Sequence, residues 1–144
     1  MRRLLLALLA TCGLHAAAPI VSGDYPDDAA AAKAWRPIEG ATPAQIGQDD
    51  IAHVLRLDCN FNTNKRPRTY WDHKVELDLS DAEGIRLEVR CRDRSSIAQF
   101  HVYFEAKGGW YNASFTPQRT SEWTTIEVRK DSVKTEGNPS GWQQ

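Results

Sequence analysis

The sequence has little net charge, few cysteines and no hydrophobic run long enough to cross a bilayer. Its 18 basic and 19 acidic residues give a formal net charge of -1, so it has no basic stripe of the kind that binds nucleic acid. It has no His-x-x-x-His or Cys-x-x-Cys spacing for zinc, no phosphate-binding glycine loop and no G-x-S-x-G turn. We therefore expect no nucleic-acid partner, no metal site and no transmembrane segment.

Residues 1–18 predict a secretory signal peptide. Met1–Arg3 supplies a positive start, Leu4–Ala10 is a short apolar run, and His15–Ala18 offers small residues for cleavage. The alternative is lipidation at Cys12, because its surroundings resemble the lipobox of bacterial lipoproteins. Thr11 departs from the small residue usual before that cysteine, which favours ordinary cleavage. The expected location is secreted or periplasmic, with a lipid anchor on Cys12 as the second choice.

Residues 19–34 predict an N-terminal segment with one short helix. Asp27 and Asp28 offer an acidic N-cap, and Ala29–Ala32 follows with the best helix former. Residues 35–144 then form the folded domain, since one core is what a chain of this length supports.

Most of the remaining sequence alternates apolar and polar residues with the period of a β-strand. Two aromatic runs joined by Lys107–Gly109 predict a β-hairpin over residues 99–115, because glycine tolerates the positive φ that tight turns need. Gly40–Asp50 is predicted to be turn-like, and residues 134–144 are rich in glycine and proline, with no strand predicted there. Six or more short strands without helical periodicity indicate an antiparallel β-sandwich or barrel. Beyond the hairpin, the predicted strands are Val54–Phe61, Val75–Leu79, Ile85–Cys91 and Trp123–Arg129.

Cys59 and Cys91 are both predicted on the apolar faces of their strands. In an exported protein two such cysteines are often paired, and closing a loop of about 30 residues would contribute roughly 3–4 kcal/mol. The alternative is two buried thiols that never meet. Both remain open, because the sequence does not show which strands are adjacent.

Five phrases between Trp35 and Trp142 carry a family resemblance. They are Arg68–Asp72, Leu77–Ser80, the Val102–Phe104 strand before Gly108–Tyr111, the Trp123 strand, and Glu136–Trp142. Together they resemble galactose-binding-domain-like β-sandwiches, or jelly rolls, many of which are carbohydrate-binding modules of secreted glycoside hydrolases. More narrowly, the sequence is similar to uncharacterised N-terminal modules of exported bacterial hydrolase-like proteins.

The resemblance implies an all-β, antiparallel β-sandwich that lacks its final strand. Such modules continue into another apolar strand, whereas this sequence stops at Gln144. The missing strand would leave an open sheet edge for a carbohydrate-active enzyme or another chain. Similar modules also hold a structural Ca²⁺ ion, but this sequence has no ordered series of calcium ligands. We therefore assign no cofactor, with structural calcium as the alternative.

Exposed aromatic side chains are the expected glycan-binding groups, because the C–H faces of pyranose rings stack on aromatic rings. The competing interpretation is core packing, since large aromatic residues are mostly buried in sandwiches. Alternation within the hairpin predicts that Tyr103 and Trp110 face outward. The candidate ligand-binding residues are Tyr103, Trp110, Trp71, Asp72 and Trp142.

The sequence thus predicts a secreted, non-catalytic module that binds glycan or supports a carbohydrate-active partner. A structural or protein-interaction β-sandwich without ligand is the main alternative. A small glycoside hydrolase is the third, with carboxylates such as Asp72 and Asp93 as its acid and base. Acidic residues in turns more often cap backbone N–H groups, so we assign no catalytic residue.

Overall fold

The computed structural model describes residues 23–49, 53–76 and 78–142, and within them the chain is mostly β-strand. All the strand pairings described are antiparallel, so the all-β prediction is confirmed. The predicted signal peptide and Cys12 lie outside the described residues. In chain order the elements are α1 (Asp28–Ala34), β1 (Trp35–Ile38), β2 (Gln45–Gln48), β3 (His53–Arg56), α2 (Phe61–Asn64), β4 (Tyr70–His73), β5 (Gly84–Arg90), β6 (Phe100–Ala106), β7 (Gly109–Phe115), β8 (Trp123–Arg129) and β9 (Lys134–Gly137).

The core lies between two antiparallel sheets, one made of β5 and β8 and the other of β6, β7 and β9. Ile85 and Val128 from the first sheet and Tyr111 from the second form one buried cluster with Trp142. Alternate side chains of a strand point to opposite sides, so these residues mark the inner face of each sheet. The packing is therefore sandwich-like, and most side chains on the outer face of each sheet are exposed.

The hairpin between β6 and β7 confirms the prediction for residues 99–115. Its register leaves Lys107 and Gly108 as the turn, and Gly108 has a φ of 92°, which side-chain-bearing residues rarely adopt. The same turn holds the chain that follows β9. The Asn138 N–H donates to the Gly108 carbonyl at 2.9 Å, and the Ser140 N–H donates to the Lys107 carbonyl at 3.1 Å.

The predicted helix in residues 19–34 is also confirmed. The Asp27 carboxylate accepts a hydrogen bond from the Ala30 N–H at 2.8 Å, as an N-cap does. The Asp28 carboxylate accepts from the Ile46 N–H at 2.7 Å. This contact ties α1 to the small sheet of β2 and β3.

No strand is predicted within residues 134–144, but Lys134–Gly137 forms β9 beside β7. All four residues of β9 are exposed, so the strand has no apolar alternation by which to recognise it. The chain then turns back and buries Trp142 in the core.

The strand predicted over Val54–Phe61 ends early, at Arg56. There the Arg56 guanidinium donates two hydrogen bonds to the Asp58 carboxylate, at 2.8 and 2.7 Å. Residues 57–60, which follow this pair, have no strand structure. The chain continues into the short helix α2, not into the predicted strand.

The strand predicted over Val75–Leu79 is wrong for the part of that segment that the structure describes. The Asp78 carboxylate instead accepts hydrogen bonds from the Ser80 N–H at 3.0 Å and hydroxyl at 2.7 Å, a local turn that competes with a strand. The strand of this region, β4, lies earlier and pairs with β1. The turn-rich prediction for Gly40–Asp50 is likewise wrong over β2, which pairs with β3.

Candidate functional site

The outer surface of the β6–β7–β9 sheet carries a group of aromatic and polar side chains. Cross-strand partners in an antiparallel sheet point to the same side, so the strand register shows which residues share this surface. We call it the aromatic face. It consists of three rows, which are His101 with Ser114, Tyr103 with Asn112 and Lys134, and Glu105 with Trp110 and Glu136.

Tyr103 and Trp110 are the large aromatic side chains of the aromatic face. They are 48% and 39% exposed, their ring centroids lie 6.3 Å apart, and their planes meet at 80°. They point outward because alternation directs their neighbours Phe104 and Tyr111 into the core. The His101 ring stacks beside Tyr103 at 6.1 Å. The predicted outward orientation of Tyr103 and Trp110 is confirmed, and their role in binding stays a prediction.

Two carboxylates flank the Trp110 ring across the sheet. Glu105 lies on β6 and Glu136 on β9, and both are cross-strand partners of Trp110. The Asn112 side-chain amide, which is 8% exposed, donates to Glu136 Oε1 at 3.0 Å and so holds that carboxylate in place. Sequence reasoning missed this group, because Glu136 reaches the face only through β9.

Arg68 and Tyr70 form a cation–π pair near the aromatic face. Arg68 precedes β4, and Tyr70 is the first residue of β4. The Arg68 guanidinium lies 5.8 Å from the Tyr70 ring centroid and pairs with Glu39 at 3.3 Å. The hydrogen bond to Glu39 raises the pKa of Arg68, and the Tyr70 and Tyr103 phenols act in the same direction. Arg68 is therefore within electrostatic range of Tyr103.

Trp71 and Asp72 point to opposite sides of β4, so they do not form one binding surface. The Trp71 indole N–H is half-buried and donates to the Thr42 carbonyl at 2.7 Å. The exposed Asp72 carboxylate accepts from Arg36 at 2.8 Å across the β1–β4 pair. Both side chains have local structural partners, which favours the packing interpretation for Trp71.

Trp142 is buried at 2% exposure, so its predicted use as an exposed glycan platform is wrong. Its ring packs edge-on against Tyr111 at 5.7 Å and Phe104 at 6.1 Å. Its indole N–H donates to the Ala82 carbonyl at 3.0 Å. The core-packing alternative therefore describes this residue.

Cys59 and Cys91 are both free thiols in this structure, as in the unpaired alternative considered above. Cys91 is buried at the end of β5, but Cys59 is exposed and lies outside any strand. Desolvation raises the pKa of the Cys59 thiol, and repulsion from the Cys91 thiolate and Asp58 adds to it. Burial likewise raises the pKa of Cys91, so neither cysteine is an activated nucleophile.

A second polar cluster lies where the chain leaves β2 and meets the β5–β8 sheet. Asp49 pairs with Arg90 at 2.8 Å, with side-chain exposures of 11% and 19%. Asp49 also accepts a hydrogen bond from the Trp123 indole, and the Arg90 guanidinium lies 5.1 Å from the Trp123 ring centroid. A polar cavity of about 340 Å³ adjoins this cluster. The cluster joins the segment after β2 to the outer face of the β5–β8 sheet.

The described residues include no group of three His, Cys, Asp or Glu side chains that could hold a metal ion. Asp93 accepts from the Ser95 N–H at 2.8 Å, and this bond lowers the pKa of Asp93, so its observed role is that of a turn cap. Among the described helices none is long and apolar enough to cross a membrane.

No family model, curated protein or solved structure matches the chain. The resemblance to galactose-binding-domain-like sandwiches therefore remains a prediction from the sequence.

Proposed function

We propose that this chain is a secreted or periplasmic, non-catalytic jelly-roll module that binds glycan through the aromatic face. The observation that supports the proposal is the pairing of Tyr103 and Trp110, which lie exposed and adjacent on one side of a sheet. Large aromatic side chains normally bury most of their surface. Leaving two of them together at the surface is typical of a binding site.

The polar groups of the aromatic face suit the hydroxyls of a sugar stacked on these rings. Glu105 and Glu136 supply acceptors on either side of Trp110, and Lys134 supplies a donor in the row of Tyr103. The hydrogen bond from Asn112 fixes Glu136 before any ligand arrives, which lowers the entropy cost of binding. The arrangement requires no catalytic residue.

Affinity electrophoresis of the exported protein against soluble polysaccharides tests this proposal. Wild-type protein should be retarded by at least one neutral or charged glycan, and Trp110→Ala and Tyr103→Ala should each lose most of that retardation. Trp123→Ala is the control, because Trp123 has a similar exposure of 42% but lies on the other sheet; circular dichroism should first show that it folds, since the Trp123 indole donates to Asp49. The mass of the same sample should show that the leader has been removed.

If no glycan retards the folded, exported protein, the proposal is contradicted. It would favour the second candidate, a protein-interaction module. One observation supports that candidate. Among the described strands, the seven-residue strand β6 pairs only with β7, so β6 lies at an edge of its sheet. A free strand edge can pair with another chain, and sedimentation velocity would detect the resulting complex or dimer.

A further inference from the structure

The aromatic face has the geometry of a cation-binding corner at Trp110. The Tyr103 and Trp110 planes meet at 80°, so the two rings form adjacent walls rather than a flat platform. The faces of aromatic rings carry negative electrostatic potential, and a cation within about 6 Å of a ring centroid is attracted to it. Two perpendicular rings can therefore contact the same cation from two sides.

The charges around this corner strengthen the preference for a cation. Trp110 lies between Glu105 and Glu136 in its own row, and both carboxylates are on the ring's side of the sheet. The amide of Asn112 donates to Glu136 Oε1 at 3.0 Å and so holds that carboxylate on this side of the sheet. An ammonium group against the Trp110 ring would thus lie in the field of two carboxylates of the same row.

The nearby cations do not cancel this effect at Trp110. Lys134 belongs to the next row, with Tyr103. Arg68 is already paired with Glu39. The face is therefore acidic at Trp110 and more basic toward Tyr103, and a ligand with both an ammonium and hydroxyl groups matches this distribution.

The geometry points to glycans with free amino groups as the ligands of the aromatic face, an inference that rests on the proposed function. Each glucosamine unit carries one ammonium on a ring whose other substituents are hydroxyls. The ammonium occupies the corner at Trp110, and the sugar ring extends toward Tyr103. Acetylation of the amine removes the charge and therefore the preference.

Three hexasaccharides with the same β-1,4 linkage separate charge from shape, namely those of glucosamine, N-acetylglucosamine and glucose. Calorimetric titration near pH 6 should show the glucosamine hexamer binding about tenfold more tightly than the other two, the size expected for one exposed cation–π contact with two exposed ion pairs. The preference should disappear in the double variant Glu105→Gln/Glu136→Gln. Glu88→Gln is the matched control, since Glu88 also accepts a cross-strand hydrogen bond, from Thr125 at 2.9 Å, but on the other sheet.

Each other outcome of this titration overturns a defined part of the inference. If the three hexamers bind equally tightly and Trp110→Ala abolishes their binding, the ammonium preference is refuted and glycan binding at the aromatic face remains. If the glucosamine hexamer still binds Trp110→Ala, or if hexalysine binds the wild type equally tightly, the attraction is a general one between a cationic ligand and acidic side chains. If no hexamer binds and no polysaccharide retards the protein, the proposed function itself falls.

Discussion

Replacement of Trp142 by alanine is expected to remove a large part of the free energy of unfolding. The side chain is only 2% exposed and packs edge-on against Tyr111 and Phe104 at 5.7 and 6.1 Å. Truncating a buried Trp to Ala typically costs 3–5 kcal/mol, and whole domains have about 5–15 kcal/mol. The midpoint of thermal unfolding should fall by roughly 10–20 °C.

Trp142→Phe separates packing from hydrogen bonding at this position. Phenylalanine keeps an aromatic ring but leaves the Ala82 carbonyl without the indole N–H that now lies at 3.0 Å. Leaving a buried acceptor unpaired costs roughly 1–3 kcal/mol, and this cost should be near the lower end here because the contact is only partly buried. Trp142→Phe should therefore lie between the wild type and Trp142→Ala in its free energy of unfolding.

Urea unfolding followed by far-UV circular dichroism measures these differences without depending on tryptophan fluorescence. Trp110→Ala is the control, because it removes the same side chain from a site that is 39% exposed and should cost about 1 kcal/mol. If Trp142→Ala costs no more than Trp110→Ala, the chain after β9 does not pack into the core, and the assignment of Trp142 to the core is refuted.

Two further predictions concern the second polar cluster and the thiols. Asp49→Ala should lower the free energy of unfolding in urea by roughly 2–4 kcal/mol. The change leaves the mostly buried Arg90 without its carboxylate and removes the acceptor of the Trp123 indole N–H. A loss below about 0.5 kcal/mol, as at an ordinary surface site, would show that the Asp49–Arg90 pair does not stabilise the fold. Alkylation of Cys59 by iodoacetamide near pH 8.5 should be slower in the folded chain than in urea, because its raised pKa reduces the thiolate fraction. Equal alkylation rates in the folded and urea-unfolded chain would contradict the raised pKa of Cys59. Folding disfavours the thiolates of Cys59 and Cys91. The free energy of unfolding should therefore be highest below the ordinary thiol pKa and should fall as the pH rises through the raised pKa values.

The longest strands of the core could be predicted from the sequence because each has seven residues and one buried side. In β6, for example, burial alternates at each of the seven positions, as the apolar pattern indicates. The two-residue turn that follows is equally local, since it depends on the positive φ of Gly108. Such features require no knowledge of what lies beside the strand.

Among the four-residue strands, only β3 overlaps a predicted strand, Val54–Phe61. β9 has no buried residue, and it forms because its backbone pairs with β7 and the Gly108 carbonyl receives the chain that follows. These contacts join residues about 25 positions apart, and no short window of sequence contains them. Trp142 was misassigned for the same reason, since its burial depends on where β9 returns the chain.

The candidate site likewise combines features that a single strand determines with features that depend on how strands pair. The outward orientation of Tyr103 and Trp110 is a property of their own strands, so alternation predicts it. Their proximity depends on the β6–β7 register, in which Trp110 faces Glu105 and Tyr103 faces Asn112. The second carboxylate, Glu136, is set by the β7–β9 register. A shift of β9 by one residue would turn Glu136 to the other side of the sheet, so the acidic character at Trp110 depends on the strand that was hardest to foresee.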